Sequence, residues 1–355
     1  MPLRERRAEW IRAPLNEASL KVFRVTYCEE RPIGQLKRCI SSEGSDFRSP
    51  PPGAGRKDAV VLFGEVLADI FPDRTVLGGA PFNVARHLKA FGQNPLLITR
   101  LGNDALRDEI LDTMSQNGMD TLGVQFDESH PTGRVQVHIG DGGHSFDILP
   151  MQAYDFIHPE AMRAAMHSVN PVLVYFGTLA QRHPVSSQSL QILLNSTGAA
   201  KFLDINLRAP WYDEETIRQS LQRSSIVKLN ADELDVLAGT LALPAGDPQD
   251  QAGELIGRFE LEQAVVTCGE AGAWQVNRDG KRFEASETRP VVATVDTVGA
   301  GDGFSAVCIL GTLLGWPAGM TLSRANAFAA SICGIRGAVP QDAGFYKPFI
   351  EEWSL

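Results

Sequence analysis

Residues 296–303 read DTVGAGDG, and the apolar run FSAVCILGTLLGW follows directly at residues 304–316. Three glycines and two aspartates therefore stand where a buried helix is predicted to begin. One interpretation is structural, because glycines form turns and an aspartate can cap a helix. The other is chemical, because exposed backbone N–H groups and the helix dipole together bind an anion, and an aspartate fixed beside that anion could act as a base.

The composition of the whole chain restricts the classes of function. Its 355 residues carry a formal net charge of −10, so no basic excess is available for nucleic-acid phosphates or an anionic membrane surface. The longest apolar run, residues 303–316, is shorter than the roughly 20 residues of a membrane-spanning helix. The five cysteines are scattered without a CxxC pair, which indicates reduced thiols and a cytoplasmic location.

Residues 1–57 differ from the remainder in charge and in pattern. They contain 12 Lys and Arg against 7 Asp and Glu, a net of +5, whereas the remainder has 21 against 36, a net of −15. The segment shows no sustained periodicity and ends in the linker-like SPPPGAGRK. We expect a disordered or loosely packed N-terminal extension over residues 1–57, followed by one domain over residues 58–355.

From Ala59 onward, β-branched runs alternate with amphipathic helical patterns. The predicted strands include AVVLFGEVLADIF, NPLLITRLG, PVLVYFG, KFLDINLR, SIVKLN and QAVVTCG, and the first helices are APFNVARHLKAFG and ALRDEILDTMSQNG. Strands that alternate with helices favour a mainly parallel sheet covered on both faces. The predicted fold is therefore an α/β sandwich of three layers.

One stretch departs from this alternation. GRVQVHIGDGGHSFDIL, residues 133–149, has two runs with period two on either side of a glycine-rich turn. This pattern predicts an antiparallel hairpin with one face in water. We expect a small antiparallel sheet, built from segments near 72–80 and 130–148, that acts as a lid over a crevice.

Residues that follow a strand are the first candidates for a site, because ligands of open α/β sheets collect at the carboxyl ends of the strands. Asp69 comes near the end of the first predicted strand. GGAPFN, residues 78–83, begins the first helix, and its Asn83 is difficult to assign to core packing. The glycines of this motif are equally compatible with a plain turn.

Three later strand ends carry polar residues. DINLR, residues 204–208, alternates so that its Asp, Asn and Arg would share one face toward a polar pocket, unless the strand end simply emerges into solvent. KLNADE, residues 228–233, is compatible with a capping box or with water held around Mg²⁺. VTCGEAG, residues 266–272, places two glycines where backbone could pass close to a flat ligand.

No GxxxxGK[ST] or GxGxxG motif occurs in the chain, but two other motifs carry a resemblance. From about Val60 to its end, the chain resembles the ribokinase-like sugar kinases of the PfkB family. Both signatures of that family match: the glycine-rich motif with Gly78, Gly79 and Asn83, and the pattern DTxGAGD at residues 296–302.

Within that family the chain is most similar to fructokinases. The matching segments are GGAPFNVA, YFGTLAQR and DINLRAPWY, and KLNADE matches the family's NxxE element through Asn230 and Glu233. The N-terminal extension is the departure, because the family pattern does not include it.

The resemblance implies an ATP-dependent transfer of the γ-phosphate to a sugar hydroxyl. Asp302 would act as the general base, because an acceptor hydroxyl is a weak nucleophile. The N–H groups around Gly299, Ala300 and Gly301 would form an anion hole for the transferring phosphoryl group. The sugar would bind at Asp69, Gly78, Gly79 and Asn83.

The resemblance also implies the nucleotide site and its ions. Glu233 would hold Mg²⁺ through water, and Asp296 corresponds to the position where many relatives bind a monovalent cation such as K⁺. The partners implied are a small sugar and, as a candidate assembly, a homodimer. The implied ATP-binding residues are Lys228, Asn230, Glu233, Thr267, Gly269, Gly272 and Asn326.

The choice of sugar depends on charge. A phosphorylated sugar needs cationic groups for its phosphate, whereas GGAPFN has Ala80 and Pro81 where some relatives carry lysine. This favours a neutral sugar, although Arg100 and Arg208 would argue the other way, and the fructokinase resemblance favours D-fructose. The alternatives are 2-keto-3-deoxygluconate, ribose, a nucleoside stacked on Phe146, or a non-catalytic sugar sensor on the same fold.

Overall fold

A computed structural model describes residues 56–140, 143–285 and 294–355. Most of the predicted extension, residues 1–55, and the hairpin tip at residues 141–142 lie outside the described residues. The first strand begins at Lys57, the last residue of the predicted extension. The extension itself stays a prediction.

The strands and helices alternate along the chain as the sequence pattern indicates. The strands are β1 (Lys57–Phe63), β2 (Leu67–Ile70), β3 (Thr75–Gly78), β4 (Pro95–Gly102), β5 (Val124–Asp127), β6 (Gly133–Gly140), β7 (Gly143–Ile148), β8 (Val169–Phe176), β9 (Ala200–Asp204), β10 (Ile226–Asn230), β11 (Gln263–Thr267), β12 (Ala273–Asn277) and β13 (Arg282–Ala285). The helices are α1 (Ala80–Ala90), α2 (Ala105–Gln116), α3 (Pro159–Met166), α4 (Pro184–Asn195), α5 (Glu214–Gln222), α6 (Ala231–Thr240), α7 (Pro248–Phe259), α8 (Ala300–Leu314), α9 (Ala318–Ile332) and α10 (Lys347–Trp353).

Nine of the described strands form the central sheet, in the order β13-β12-β11-β10-β9-β8-β1-β4-β5. The pairings from β5 through to β11 are parallel, and only those of β12 and β13 are antiparallel. One face of the sheet packs against α3 to α7, and the other packs against α1, α2 and α8 to α10. The predicted three-layer α/β fold is confirmed. No helix in the described part of the chain is long and apolar enough to span a membrane.

A smaller sheet of four strands lies beside this core, in the order β3-β2-β6-β7. The β6–β7 hairpin and the β2–β3 pair are antiparallel, as expected, while β2 pairs with β6 in parallel. The small sheet therefore uses one segment that the sequence pattern does not assign to it, the strand β2.

The run AVVLFGEVLADIF is not one strand, and that prediction is wrong. The run divides at Gly64, whose φ is +147°, and a Cβ there would lie 2.8 Å from Cγ of Pro81. The chain end of β1 thus passes close to the start of α1, an approach that only glycine allows. As a result Asp69 lies on β2 in the small sheet and not in the central sheet.

Candidate active site

Asp302 lies in the first turn of α8 and is half-buried. The Nδ2 group of Asn83 on α1 donates a hydrogen bond of 2.8 Å to its Oδ2 atom. The glycine-rich motif at residues 78–83 and the motif at residues 296–302 therefore meet at one place. The second oxygen of the carboxylate, Oδ1, accepts no hydrogen bond from a described residue.

Close packing requires glycine at position 299, directly before α8. Gly299 is the N-cap with φ +82°, and a Cβ at this position would lie 2.3 Å from Cα of Ala338. No side chain caps the helix, so Asp302 is not its cap. The N–H of Ala300 makes a long bond of 3.3 Å to the Thr297 carbonyl, while those of Gly301 and Asp302 donate to no described residue. Free N–H groups at a helix start can bind an anion.

The electrostatics of Asp302 suit a base near neutral pH. Burial raises the pKa of Asp302 to about 6, although the hydrogen bond from Asn83 opposes this rise. The negative charge of Asp204 adds to the rise, and the positive charges of Lys228 and Arg208 oppose it. A carboxyl with such a pKa is ionised at neutral pH and is a stronger base than an exposed aspartate.

Lys228 on β10 brings a positive charge beside the glycine loop. A Cβ on Gly301 would lie 3.3 Å from its Nζ atom. The same ammonium is 3.1 Å and 3.3 Å from the two carboxylate oxygens of Asp204, which lies at the end of β9. Burial pulls the pKa of Lys228 down, but the carboxylates of Asp204 and Glu233 outweigh this effect and hold it above its ordinary value. Lys228 is therefore a buried cation next to the start of α8.

Asp204 is a buried carboxylate that several hydrogen bonds hold in place. It is 1% exposed, and its Oδ2 atom also accepts hydrogen bonds from Ser305 at 2.8 Å and from Tyr175 at 3.3 Å. Because Ser305 is one turn after Asp302 on α8, this network joins β8, β9 and β10 to the helix that carries the predicted base. Sequence reasoning placed Asp204 in the pocket but did not foresee these partners.

The alternation predicted for DINLR is wrong beyond Asp204. β9 ends at that residue, and Asn206 has a left-handed backbone with φ +40°. The next residues therefore do not share one face of a strand. The positive charge of Arg208 nevertheless lowers the pKa of Asp302, Asp69 and Glu65.

Asn230 and Glu233 form a capping box at the start of α6. Asn230 Oδ1 accepts from the N–H of Glu233, and Glu233 Oε2 accepts from the N–H of Asn230, both at 2.8 Å. The other carboxylate oxygen of Glu233 accepts from the N–H of Leu207 at 2.8 Å. The structural interpretation of KLNADE as a capping box is therefore correct, and each oxygen of the carboxylate keeps a lone pair beyond the one that accepts a backbone N–H.

The other predicted nucleotide residues lie at the end of β11, in the turn that follows it, and in the middle of α9. Thr267 ends β11, and Gly269 and Gly272 have φ of +57° and +88° in the turn that follows. A Cβ on Gly272 would lie 2.2 Å from the carbonyl oxygen of Ala285, to which Asn326 Nδ2 donates at 2.5 Å. Asn326 and Gly272 are thus neighbours, and their contact with ATP stays a prediction.

Asp296 joins its loop by hydrogen bonds to the segment at residues 333–337. Its Oδ1 accepts from the N–H of Val298 at 3.0 Å, and its Oδ2 accepts from the N–H of Gly337 at 3.2 Å. The backbone N–H of Asp296 donates to the carbonyl of Cys333. Among the described residues there is no cluster of three His, Cys, Asp or Glu that could hold a metal ion. The cation site at Asp296 stays a prediction.

Two acidic residues lie beside the glycines of the predicted sugar site. A Cβ on Gly78 would lie 3.6 Å from Oδ2 of Asp69, whose pKa burial raises to about 6. Gly79, at φ +104°, has no room for a side chain against the backbone of Glu65. Sequence reasoning missed Glu65, which is 5% exposed and has a pKa that burial raises to about 7. The signal was present, because Glu65 is a charged residue inside an apolar run, two residues after the end of β1.

Comparison with known proteins identifies the family. The description pfkB family carbohydrate kinase matches residues 61–342. A probable fructokinase of Arabidopsis thaliana, fructokinase-7, is 27% identical over 316 residues, which cover 79% of this chain and 88% of the relative.

Three solved structures share the fold. They are a fructokinase of Xylella fastidiosa with bound ATP (TM-score 0.71, 22% identity, covering 84% of this chain and 99% of the other), a fructokinase double mutant of Vibrio cholerae with fructose, ADP and potassium ion (TM-score 0.68, 21%, covering 82% and 98%), and a 2-dehydro-3-deoxygluconokinase of Thermotoga maritima (TM-score 0.68, 16%, covering 83% and 99%). Their identities support a shared fold alone. The family match spans more than half of the chain, and the protein therefore belongs to the pfkB family of carbohydrate kinases.

Proposed function

We propose that this sugar kinase transfers the γ-phosphate of ATP to a hydroxyl of D-fructose, with Asp302 as the general base. The observation that carries the proposal is the position of Asp302. Its carboxylate lies beside the free N–H groups at the start of α8 and is held by Asn83, so an acceptor hydroxyl and a phosphoryl group could meet there.

Proton removal is the first task of the site. Asn83 occupies Oδ2 of Asp302, which leaves Oδ1 to accept the proton of the attacking hydroxyl. The proton passes to Asp302 as the sugar oxygen bonds to the γ-phosphorus and the bond to ADP breaks. Because the pKa of Asp302 is about 6, the group is ionised at neutral pH and ready to accept.

Charge stabilisation is the second task. The N–H groups of Gly301 and Asp302 point from a helix start, and the Lys228 ammonium lies beside them. Donors that are fixed before the reaction stabilise the charge of the transferring phosphoryl group without reorganisation. In this proposal Lys228 acts at the phosphoryl group, which gives it a more specific role than general ATP binding.

The ions would bind at the edge of this site. Mg²⁺ bound with ATP would offset the charge of the phosphates. Glu233 would hold it through water, since each of its oxygens accepts one backbone N–H and keeps a lone pair for a water of the ion. Asp296 would serve K⁺, and the potassium ion named for the Vibrio cholerae fructokinase supports this assignment by analogy.

The substrate assignment rests on charge and on the relatives. Arg100 does not offer a free cation for a sugar phosphate, because its Nε lies 2.8 Å from Asp127 Oδ2 and its Nη1 donates to the carbonyl of Phe156. Relatives such as the Arabidopsis fructokinase-7 support fructose. The alternative acceptor that a specific observation favours is 2-keto-3-deoxygluconate. The structural neighbour from Thermotoga maritima is named for it, and Arg208 could bind its carboxylate.

A panel of acceptors tests the assignment. We would measure kcat/KM with Mg-ATP for D-fructose, ribose, 2-keto-3-deoxygluconate, fructose 6-phosphate and adenosine. Fructose should exceed every other acceptor by at least about tenfold. A higher value for another acceptor would replace fructose and leave the kinase activity in place. Sugar binding without ADP release for any acceptor would instead indicate a sensor.

A further inference from the structure

Arg182 ends the segment YFGTLAQR, which follows from β8 of the central sheet. Its side chain is 5% exposed and forms an ion pair with Asp155, whose side chain is 2% exposed. The Nε group donates to Oδ1 of Asp155 at 2.8 Å, and Nη2 donates to Oδ2 at 2.9 Å. Two bonds of this kind fix both the position and the orientation of the guanidinium.

The same guanidinium binds the base of the hairpin that β6 and β7 form. Nη2 of Arg182 donates a hydrogen bond of 2.6 Å to the carbonyl of Leu149, the residue directly after β7. The N–H of Leu149 in turn donates to the carbonyl of Arg134 on β6 at 3.2 Å. A side chain from the central sheet therefore holds the small sheet where its hairpin closes.

Two aromatic rings contact the guanidinium. Its Cζ atom lies 5.0 Å from the ring centre of Tyr154 and 4.5 Å from that of Trp211. Tyr154 is fully buried, and a Cβ on Gly133, the first residue of β6, would lie 2.8 Å from its Cε1 atom. Tyr154 therefore packs against both Arg182 and the start of β6, which is the second connection between Arg182 and the hairpin.

The small sheet contains part of the predicted sugar site. β6 pairs with β2, the strand of Asp69, and β2 pairs with β3, which ends at Gly78. Two residues later α1 begins, and its Asn83 donates the hydrogen bond to Asp302. The hairpin that Arg182 holds is thus joined through the sheet to the residues predicted to bind the acceptor.

The predicted nucleotide residues lie on another part of the central sheet. Thr267 ends β11, and the strands β10 and β9 separate β11 from β8. A change at Arg182 should therefore affect the acceptor and the nucleotide to different extents.

We propose that Arg182 is a positioning residue for the acceptor, because it anchors the small sheet to the central sheet and so holds Asp69 and Gly78 in place for a bound sugar. The inference rests on the proposed function and deepens it. The planar fork of an arginine reaches a carboxylate and a carbonyl at once, whereas a lysine offers a single point charge. A sheet that is already in place does not have to be ordered when the sugar binds, so the anchor favours binding.

The test uses Arg182→Lys in full-length protein, which keeps a charge beside Asp155 but loses the donor that binds the base of the hairpin. Arg258→Lys is the matched control. The guanidinium of Arg258 on α7 also donates to a carbonyl, that of Leu241 at 2.6 Å, and to a carboxylate, that of Glu254 at 3.0 Å. We would measure kcat and the KM values for D-fructose and ATP, and the Tm of each variant.

We expect Arg182→Lys to raise KM for fructose at least about fivefold, while KM for ATP stays within about twofold and kcat keeps at least about half of its value. Arg258→Lys should change none of the three by more than about twofold, even where it lowers Tm by the same amount. A KM for fructose within about twofold of wild type in Arg182→Lys, or an equal rise of both KM values, would overturn the role of Arg182.

Hydrogen exchange tests the anchor itself. In Arg182→Lys the backbone amides of residues 145–149 should exchange at least about tenfold faster than in wild type, while those of α7 keep their rates. Unchanged exchange in residues 145–149 would refute the anchor. If Arg182→Lys does not fold, Arg182→Met combined with Asp155→Asn removes both charges of the buried pair, and the same measurements apply to that variant.

The proposed function fails in a different way. If another sugar gives the highest kcat/KM with wild-type protein, the fructose assignment is wrong, and the two KM values are compared with that sugar. If no acceptor is phosphorylated, the kinase proposal is wrong, and calorimetry with the sugar that binds then decides the role of Arg182. A Kd at least about fivefold higher in Arg182→Lys would support that role, and an unchanged Kd would refute it.

Discussion

Asn83 and Asp302 are 219 positions apart in the chain, and a hydrogen bond of 2.8 Å joins their side chains. The bond connects α1 to α8, two helices on the same face of the central sheet. It orients the carboxylate and, because an N–H donor favours the charged form, it opposes the rise in the pKa of Asp302 that burial causes. This contact therefore holds the carboxylate in place and limits the rise of its pKa.

Replacing Asp302 by Asn should abolish most phosphoryl transfer. The amide keeps the shape of the side chain but cannot accept the proton, so kcat should fall by roughly 10²–10⁴-fold. ATP binding, measured by calorimetry, should stay within about threefold of wild type. Asp108→Asn on the exposed face of α2 is the control and should retain full activity. A variant at residue 302 that keeps more than about a third of wild-type kcat would rule out Asp302 as the base.

The pH profile should report the same group. The base must be deprotonated, so kcat/KM should fall as the pH is lowered through about 6, the pKa of Asp302. Asn83→Leu removes the donor that lowers this pKa, and the acidic limb should then move to higher pH. The overall rate should also fall, because Asn83 is a predicted sugar contact, but only the position of the limb tests the coupling. An unmoved limb would mean that another group titrates.

The alternation of strands and helices, and the two glycine-rich motifs, were readable from the sequence because they depend on local pattern. α1 and β4 lie where their patterns indicate. The division of the first strand was not readable, because it depends on Pro81 of α1 packing against Gly64, a contact between two elements. The end of β9 was missed for a related reason, since DINLR alternates well enough to continue a strand, yet Asn206 turns left-handed.

The site residues that belong to a motif could be predicted from the sequence, whereas those that are recognised only by their burial in the fold could not. Asp302, Asn83 and Gly299 all belong to motifs. The structure joins Asn83 to Asp302 by a hydrogen bond, and it gives Gly299 a backbone conformation and a close contact that require glycine. Glu65 belongs to no motif, and only the structure shows that it is buried and that charged groups act on it. The partners of Asp204 come from two other strands and a helix, so no local spacing in the chain could indicate them.

Gly299→Ala tests whether the loop before α8 needs its glycine. The new Cβ would lie 2.3 Å from Cα of Ala338, and the φ of +82° is itself unfavourable for alanine. We expect the free energy of unfolding in urea to fall by more than about 2 kcal/mol, with activity lost as well. Gly253→Ala on α7 is the control, since nothing lies within 4 Å of its Cβ, and it should stabilise by about 0.5–1 kcal/mol. Equal stabilities for the two variants would contradict the packing.

The pair of Lys228 and Asp204 allows its structural and chemical roles to be separated. Lys228→Met leaves Asp204, 1% exposed, without a counter-ion, and loss of one partner of a buried pair costs roughly 3–5 kcal/mol. Adding Asp204→Asn removes the orphaned charge, and the amide oxygen can still accept from Ser305 and Tyr175. The double variant should therefore recover most of the free energy of unfolding, measured by urea denaturation.

Activity should not recover in the same way. The Lys228 ammonium lies beside Gly301, where the transferring phosphoryl group is proposed to bind, and the double variant still lacks that cation. We expect kcat of the folded double variant to stay at least about tenfold below wild type, while Asp204→Asn alone loses less. If kcat returns together with stability, Lys228 serves only as the counter-ion of Asp204, and the stabilisation of the phosphoryl group must be assigned to the backbone N–H groups alone.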